Sequence, residues 1–350
     1  MAQNGRPAVI DADGHVFERE ADIKKYLEAP YNRRNTALTP GDQPWDTHLY
    51  ETFEDAISWI GTSPAEQVKR WHDIMDREGM EKAMCFPTLS GSVIKLQETN
   101  FQIAVARACN DYFANEYNAL SDRMQCVGVL PLRSPQASVE EMHRAVTELG
   151  IKGFEFVTTG PPLALGDPFY DPVYKAAEEL GAAILVHGTR SQAREVGAGG
   201  LATFAEVHAY AFPASLLLQF TSMICQGVTV RFPNLRIAFL EIGATWLPYY
   251  LDRLNEHWEM RGEYEMPFLK KSPTETVKEA KIWVSLESGE TLLGPTVDYI
   301  GAEHLVYASD VPHWDSEFPE SLESLWDRTD VSTEDKEKIL YHNAKELFAL

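Results

Sequence analysis

The sequence predicts an α/β fold, a (β/α)8 TIM barrel with a long insertion after its first strand. Two observations carry this expectation: short apolar runs alternate with segments of helical spacing along the whole chain, and eight such runs can be counted. A third removes the main rival. The first run leads into Asp13-Gly14-His15 with no Gly-x-Gly-x-x-Gly turn, which a doubly wound dinucleotide-binding sheet would place there. A chain of 350 residues accommodates one large barrel or two average domains. No internal repeat or low-complexity tract divides it, so 1–350 is read as a single domain, with 17–80 as a lid or interface insertion.

The strand candidates, in order, are Ala8 to Asp13, Lys82 to Thr88, Gln125 to Pro131, Lys152 to Val157, Ala183 to His187, Arg236 to Glu241, Ile282 to Glu287 and His304 to Asp310. Helical spacing fills the gaps at Asn100 to Tyr117, at Ser138 to Leu149 behind a serine cap, and at Asp171 to Leu180 before Gly181. Thr333 to Leu350 reads as a closing helix capped by Thr333, with Leu340, Ala344, Leu347 and Phe348 as its buried stripe against the outside of the barrel. The first insertion carries Trp45, Trp59 and Trp71, broken by Pro30, Pro40, Pro44 and Pro64. A second excursion, Gly188 to Val230, holds a glycine-rich loop at 197–200 and a helical pattern from about His208.

Composition excludes several classes of function. Apolar residues at 44% and charged residues at 24% suit a globular protein with a large core. A formal charge of −22, with no Lys/Arg cluster, argues against nucleic acid and against anionic membrane, because both need a basic surface. No apolar run reaches the length of a membrane span. Cys85, Cys109, Cys126 and Cys225 are scattered with no Cys-x-x-Cys pair, which argues against a disulfide framework or thiolate zinc site and points to a reducing cytoplasm. The expected partner is a small molecule, in a homodimer or another oligomer, including one with a related subunit.

In a barrel of this class chemistry gathers where strands end. Asp13 and His15, two apart at the exit of the first strand, share a face and have metal-ligand spacing. His187 ends the fifth strand. Asp310 ends the eighth, where alternation puts Val306, Ala308 and Asp310 on the inner face and a carboxylate can bind metal or move a proton. Glu241 closes the sixth strand on the face of Ile237 and Phe239, and Glu287 closes the seventh beside Ser285. The plainer role of Glu241 is to anchor a helix N-terminus after Gly243, and that of Glu287 to pair with an arginine. His208 is placed before a helix as a ligand or loop hydrogen-bonding residue. Arg190, His313 and Trp246 are candidates for contacting substrate, Arg190 through a bidentate pair with a carboxylate. Glu155 points inward if Phe154 and Phe156 face the helices, and a buried salt bridge explains it equally well.

Several segments together, Val9-Ile10-Asp11-Ala12-Asp13-Gly14-His15, Arg231-Phe232-Pro233 before Ala238-Phe239-Leu240-Glu241, Tyr307-Ala308-Ser309-Asp310 with Pro312-His313-Trp314, and Asn343-Ala344 before Leu347-Phe348, resemble the amidohydrolase-related family. That branch includes aminocarboxymuconate-semialdehyde decarboxylase and the resorcylate-type decarboxylases. The resemblance implies that Asp13, His15, His187 and Asp310 hold a divalent metal. It also exposes a departure, since family decarboxylases usually carry a histidine on strand six where this chain has Glu241. No lysine ends the fourth strand, so a carbamylated-lysine bridge is unsupported.

The leading expectation is a metal-dependent enzyme that hydrolyses or non-oxidatively decarboxylates a small carboxylated molecule. Asp310, His187 and Glu241 are its catalytic candidates, and Asp13, His15, His187, Asp310, Glu241, His208 and Glu287 its metal candidates. Zinc or manganese suits a mononuclear site; iron or iron-manganese suits a dinuclear one, which would make the protein an oxygenase on the same fold. A metal-stabilised, non-catalytic partner subunit is the third alternative.

Overall fold

Eight parallel strands follow one another around a closed ring. In the computed structural model, which describes residues 6–38, 58–188 and 193–350, they are β1 (Val9–Val16), β2 (Met80–Pro87), β3 in two pieces on either side of Val127 (Met124–Cys126 and Gly128–Val129), β4 (Gly153–Val157), β5 (Ala183–His187), β6 (Arg236–Leu240), β7 (Ile282–Leu286) and β8 (Leu305–Tyr307). Each strand pairs with the next in parallel. Just beyond β8 the ring is closed by two backbone bonds, Asp310 N to Asp13 O at 2.8 Å and His15 N to Val311 O at 2.7 Å. The architecture is the expected (β/α)8 barrel.

Alternation sorts the strand residues into two cores. Ala83, Cys85, Phe154, Phe156, Ile184, Val186, Ile237 and Phe239 pack outward among the helices. Ile10, Ala12, Met84, Phe86, Val127, Ala183, Leu185, Ala238, Leu240, Trp283 and Val306 fill the interior, together with Ala344, Leu347 and Phe348. The C-terminal segment therefore plugs the barrel instead of lying along its outside as the sequence suggested; its Ile339 and Leu340 join the outer core. Asn343 fixes the plug, its side-chain amide donating to the carbonyls of Ala302 and Leu305 at 2.7 Å each. Those carbonyls precede or begin β8, so the plug sits at the end opposite the strands' carboxyl termini.

Two predicted caps are shifted by local chemistry. The helix expected from Ser138 runs Pro135–Leu149, because Ser134 caps it and a proline is tolerated in the first turn. The closing segment is capped by Ser332 in place of Thr333, its hydroxyl accepting from Asp335 N at 3.1 Å. It loosens into a π turn at Lys338–His342 before resuming as Asn343–Leu347. Other expectations needed only small adjustments: helices run Thr99–Glu116 and Asp171–Leu180, the latter ending on the left-handed Gly181.

The first insertion clamps the exit of β1. Trp71, on the helix Pro64–Glu78, donates its indole N–H to His15 O at 3.1 Å. Gln67 on the same helix bonds both the N–H and the carbonyl of Phe17, at 3.0 and 2.8 Å. Gly14 is required beneath the indole, since a Cβ there would stand 2.4 Å from the Trp71 ring. Trp45 and 39–57 lie outside the described residues. Among those described, no helix is long and apolar enough to cross a membrane, and the four cysteines form no disulfide.

Phe348 is fully buried in the interior plug. Truncating it to alanine is expected to cost about 3–5 kcal/mol, the range for a large aromatic removed from a packed core. Urea unfolding of Phe348→Ala measures this, and a loss below about 1 kcal/mol, typical of a surface change, would mean that the plug is not packed as described.

Candidate metal centre

Regular alternation from Ile10 and Ala12 would turn Asp13 and His15 away from the interior. A bulge prevents this: Asp11 pairs with Ala83 and Gly14 with Cys85, so three steps along β1 match two along β2. The parity of β1 changes at that point, and both ligand candidates enter the barrel above its apolar core. Phe86 forms the floor, stacked on the His187 ring with centroids 5.2 Å apart.

Glu241 reaches the same space by a different device. Ile237 and Phe239 face outward, so the shared face expected for Ile237, Phe239 and Glu241 does not exist. The strand stops at Leu240, and Glu241 takes φ +91°, a left-handed conformation that swings its side chain inward. Asp310 has φ +54°. Both are non-glycine residues with positive φ, held where strain is commonly found at functional sites. Ser285 Oγ accepts from Glu241 N at 3.0 Å, fixing that turn.

The result is two overlapping sets of ligand atoms. Asp13, His15, His187 and Glu241 each offer one atom within 4.8 Å of the others, and His15 also converges with Asp310 and His313. His187 Nε2 lies 2.8 Å from Glu241 Oε2 and 3.6 Å from Asp13 Oδ1. His15 Nε2 lies 3.1 Å from Asp310 Oδ1 and 3.5 Å from Asp13 Oδ1. Five of these buried atoms, Asp13 Oδ1, His15 Nε2, His187 Nε2, Glu241 Oε2 and Asp310 Oδ1, make no hydrogen bond. Unsatisfied buried polar atoms are costly, and five gathered in two overlapping sets call for a partner.

The tautomer of His187 specifies the partner's charge. Its Nδ1 is 2.8 Å from the carbonyl oxygen of Gly188, to which it can only donate, so the neutral ring presents a bare lone pair at Nε2. That lone pair faces two carboxylate oxygens, an arrangement that repels unless a cation lies between them. Proton affinities carry the same message. Burial lowers the His187 pKa, but Glu241 and Asp13 overcome it and push it well above the ordinary value. Burial raises the Asp13 pKa to about 7, partly offset by His187. Glu241 is lowered, because His187 outweighs the effect of burial. His15 is pushed down to about 4 by burial and then by His313, which keeps the ring neutral as ligation requires. The donor set of carboxylates and neutral imidazoles fits a divalent ion such as manganese, iron or zinc.

His313 completes the far side. Its Nδ1 is 2.8 Å from Asp310 Oδ1, and its ring stacks on His15 with centroids 3.8 Å apart. Burial lowers its pKa, but Asp310 raises it to about 9 overall. Asp310 in turn falls well below the usual carboxylate range, because His313 and His15 outweigh its burial.

The other candidates are placed elsewhere. His208 lies inside the helix Phe204–Cys225, which a Thr203–Glu206 capping box begins earlier than expected. Its ring packs among Phe204, Phe212 and Trp314, with Nε2 3.6 Å from Asp315 Oδ2, and it joins neither ligand set among the described residues. Glu287 also joins neither; it stands at the mouth, its pKa raised to about 7 by burial and then by Glu290 and Glu317. Trp246, expected to contact substrate, lines neither cavity beside the cluster and packs against Phe220 and Tyr250 in the helical layer, with its N–H on Gly243 O. The helix anchor proposed for Glu241 is supplied instead by Glu290, which accepts from Ala244 N and Thr245 N. Arg190 lies outside the described residues.

Two cavities flank the cluster and share His208, Phe212, Glu241 and Asp315. The first, about 240 Å³, is lined by Asp13, Asp310, Glu287 and Glu317. The second adds Thr88, Gly91, Ser92, Lys95 and Glu155. Glu155 does point inward from β4, with burial raising its pKa to about 8. Asp315 and the loop after β2 escaped the sequence reading because they lie beyond strand ends, where no periodicity marks direction.

Comparison with known proteins places this geometry in a family. The model of the Amidohydrolase family matches residues 10–350. The chain is 27% identical over 267 residues to a 2-amino-3-carboxymuconate-6-semialdehyde decarboxylase of Dictyostelium discoideum, covering 75% of this chain and 71% of that protein. It is 24% identical over 316 residues to a gamma-resorcylate decarboxylase of Rhizobium sp. (strain MTP-10005), covering 86% and 95%. The fold is shared with a 5-carboxyvanillate decarboxylase of Novosphingobium aromaticivorans DSM 12444, solved with manganese and 4-hydroxy-3-methoxy-5-nitrobenzoic acid, at a TM-score of 0.73 and 22% identity over 98% of this chain and 96% of that one. With its family match running from the first strand to the last residue, this chain belongs to the amidohydrolase family.

Proposed function

We propose that the protein is a metal-dependent carboxy-lyase that removes CO2 non-oxidatively from a small unsaturated or aromatic carboxylic acid. The observation that carries this reading is the convergence of five bare ligand atoms at the mouth of a barrel whose relatives are named as decarboxylases. Hydrolysis is the less favoured of the two expected reactions, since none of those relatives is named for it.

Asp13, His15, His187 and Asp310 are the residues that would hold the ion, with Glu241 as a further donor. A bound divalent cation supplies positive charge that fixes and polarises a carboxylate or an adjacent oxygen of the substrate. In the reaction the bond between carbon and the carboxyl group breaks, its electron pair stays on that carbon, and a proton must arrive there. The substrate therefore needs a neighbouring π system to accept the developing charge. Asp310 and His313, 2.8 Å apart beside the two cavities, are the pair positioned to deliver the proton. Phe86 beneath and Phe212 beside the cluster limit access of water.

A second reading has an observation of its own. His15, Asp310 and His313 form a second ligand set that overlaps Asp13, His15, His187 and Glu241 at His15. With an acid in place of the usual strand-six histidine, these sets suit two iron ions, or iron and manganese, activating oxygen for hydroxylation.

Metal analysis and anaerobic assay separate the two. The carboxy-lyase reading expects about one Mn²⁺ or Zn²⁺ per chain and CO2 release from hydroxybenzoates in the absence of oxygen; two ions per chain with turnover only in oxygen would transfer the assignment to the oxygenase. His187→Ala is expected to cut metal content by at least about tenfold at micromolar metal, the usual scale for losing a ligand or its support. Asp310→Asn should lower kcat by about 10²–10⁴-fold, the typical contribution of a positioned acid-base group; a variant turning over at the wild-type rate would remove Asp310 from the chemistry.

A further inference from the structure

Asp11 is fully buried, carries a carboxylate and belongs to neither ligand set. Its oxygens are committed to the seam where the barrel closes. Oδ1 accepts from Ser309 N at 3.0 Å and from Asp13 N at 3.2 Å, while Oδ2 accepts from Ser309 Oγ at 2.5 Å. Ser309 Oγ in turn accepts from Val311 N at 3.2 Å. One side chain thus grips the backbone of one ligand residue and both sides of another. Between Ser309 and Val311 stands Asp310 in its left-handed conformation.

We infer that Asp11 is a positioning residue for the metal centre: through Ser309 and the Asp13 amide it fixes the relative placement of the Asp13 and Asp310 carboxylates, which come from opposite ends of the chain. The bulge between Asp11 and Gly14 explains why this acid, two residues before Asp13, faces the seam and not the ion. A side chain that bonds two ligand-bearing segments at once restrains the separation of their donors alongside the two closing backbone bonds. Small displacements of this kind change coordination geometry before they change folding.

This inference rests on the metal reading but not on the reaction, so its test reads metal alone. Co²⁺ is titrated into metal-free wild-type, Asp11→Asn and Asp11→Ala proteins, following the visible absorption bands of the ion and its dissociation constant. Asparagine keeps an acceptor for the two amides and a polar group toward Ser309, whereas alanine keeps neither. Asp11→Ala is expected to bind Co²⁺ at least about tenfold more weakly, with shifted bands, and Asp11→Asn to recover affinity to within about threefold and the wild-type spectrum. Should Asp11→Ala fail to fold, Ser309→Ala removes the same grip from the other side and is expected to shift the bands in the same direction. Unchanged bands and affinity in Asp11→Ala, or in Ser309→Ala where it stands in, overturn the inference alone. An Asp11→Asn protein as impaired as Asp11→Ala overturns it as well. A wild-type protein that takes up no Co²⁺ overturns it together with the metal reading.

Discussion

The structure depends on closing one seam. Residues from the first strand and from just beyond the last meet through Asp310 N to Asp13 O and His15 N to Val311 O, and each of those two bonds involves a ligand residue's backbone. Ring closure therefore also brings Asp13, His15 and Asp310 together. If β1 and β8 slid past one another by one residue, alternate side chains would exchange faces, and Asp13 and His15 would leave Asp310. The apolar interior beneath, plugged by Leu347 and Phe348, resists that slide.

Around that seam the chain departs from regular strand geometry at several of its candidate ligands. A bulge redirects Asp13 and His15, and left-handed backbones redirect Glu241 and Asp310. The two left-handed turns are held by hydrogen bonds from a neighbouring strand: Ser285 bonds Glu241 N, and Asp11 bonds the amide and hydroxyl of Ser309. Non-glycine residues at positive φ cost of order 1 kcal/mol or more each. Serine hydroxyls next to both turns offset this cost locally, so the strain does not spread into the strands.

This explains which parts of the protein were legible in its sequence. Alternation revealed eight strands because it is a property of regular backbone, and His187 was found because it ends a strand that stays regular to its last residue. Asp13 and His15 were found by their mutual spacing, although the bulge that aims them leaves no mark in composition. Glu241 was placed in the right cavity for the wrong reason, since Ile237 and Phe239 face the other way. Trp246 and Glu287 were drawn in by proximity to strand ends, but Trp246 had already turned into the helical layer and Glu287 stops at the mouth. Asp11 was invisible as a partner of Ser309 because nearly the whole chain separates them. The closing helix was misplaced for a related reason: its apolar stripe fits the barrel's interior and its exterior equally well, and only the anchoring of Asn343 on Ala302 and Leu305 decides between them.

Charge balance connects the number of ions to the kind of substrate the cavity admits. Asp13, Glu241 and Asp310, when ionised beside neutral imidazoles, carry three negative charges, and Glu287, Asp315 and Glu317 line the same cavity. One dication leaves the ligand cluster with a net negative charge; two leave it positive. An anionic substrate entering a cluster of like sign meets a repulsion of about 4 kcal/mol per unit charge at 4 Å for an effective dielectric of 20. With a single ion, a proton within the cluster relieves that repulsion, and His313, whose pKa Asp310 raises against burial to about 9, is better placed to hold one than Asp13. With two ions no such proton is needed. The same four chain segments, around Asp13, His187, Glu241 and Asp310, supply the donors for either balance.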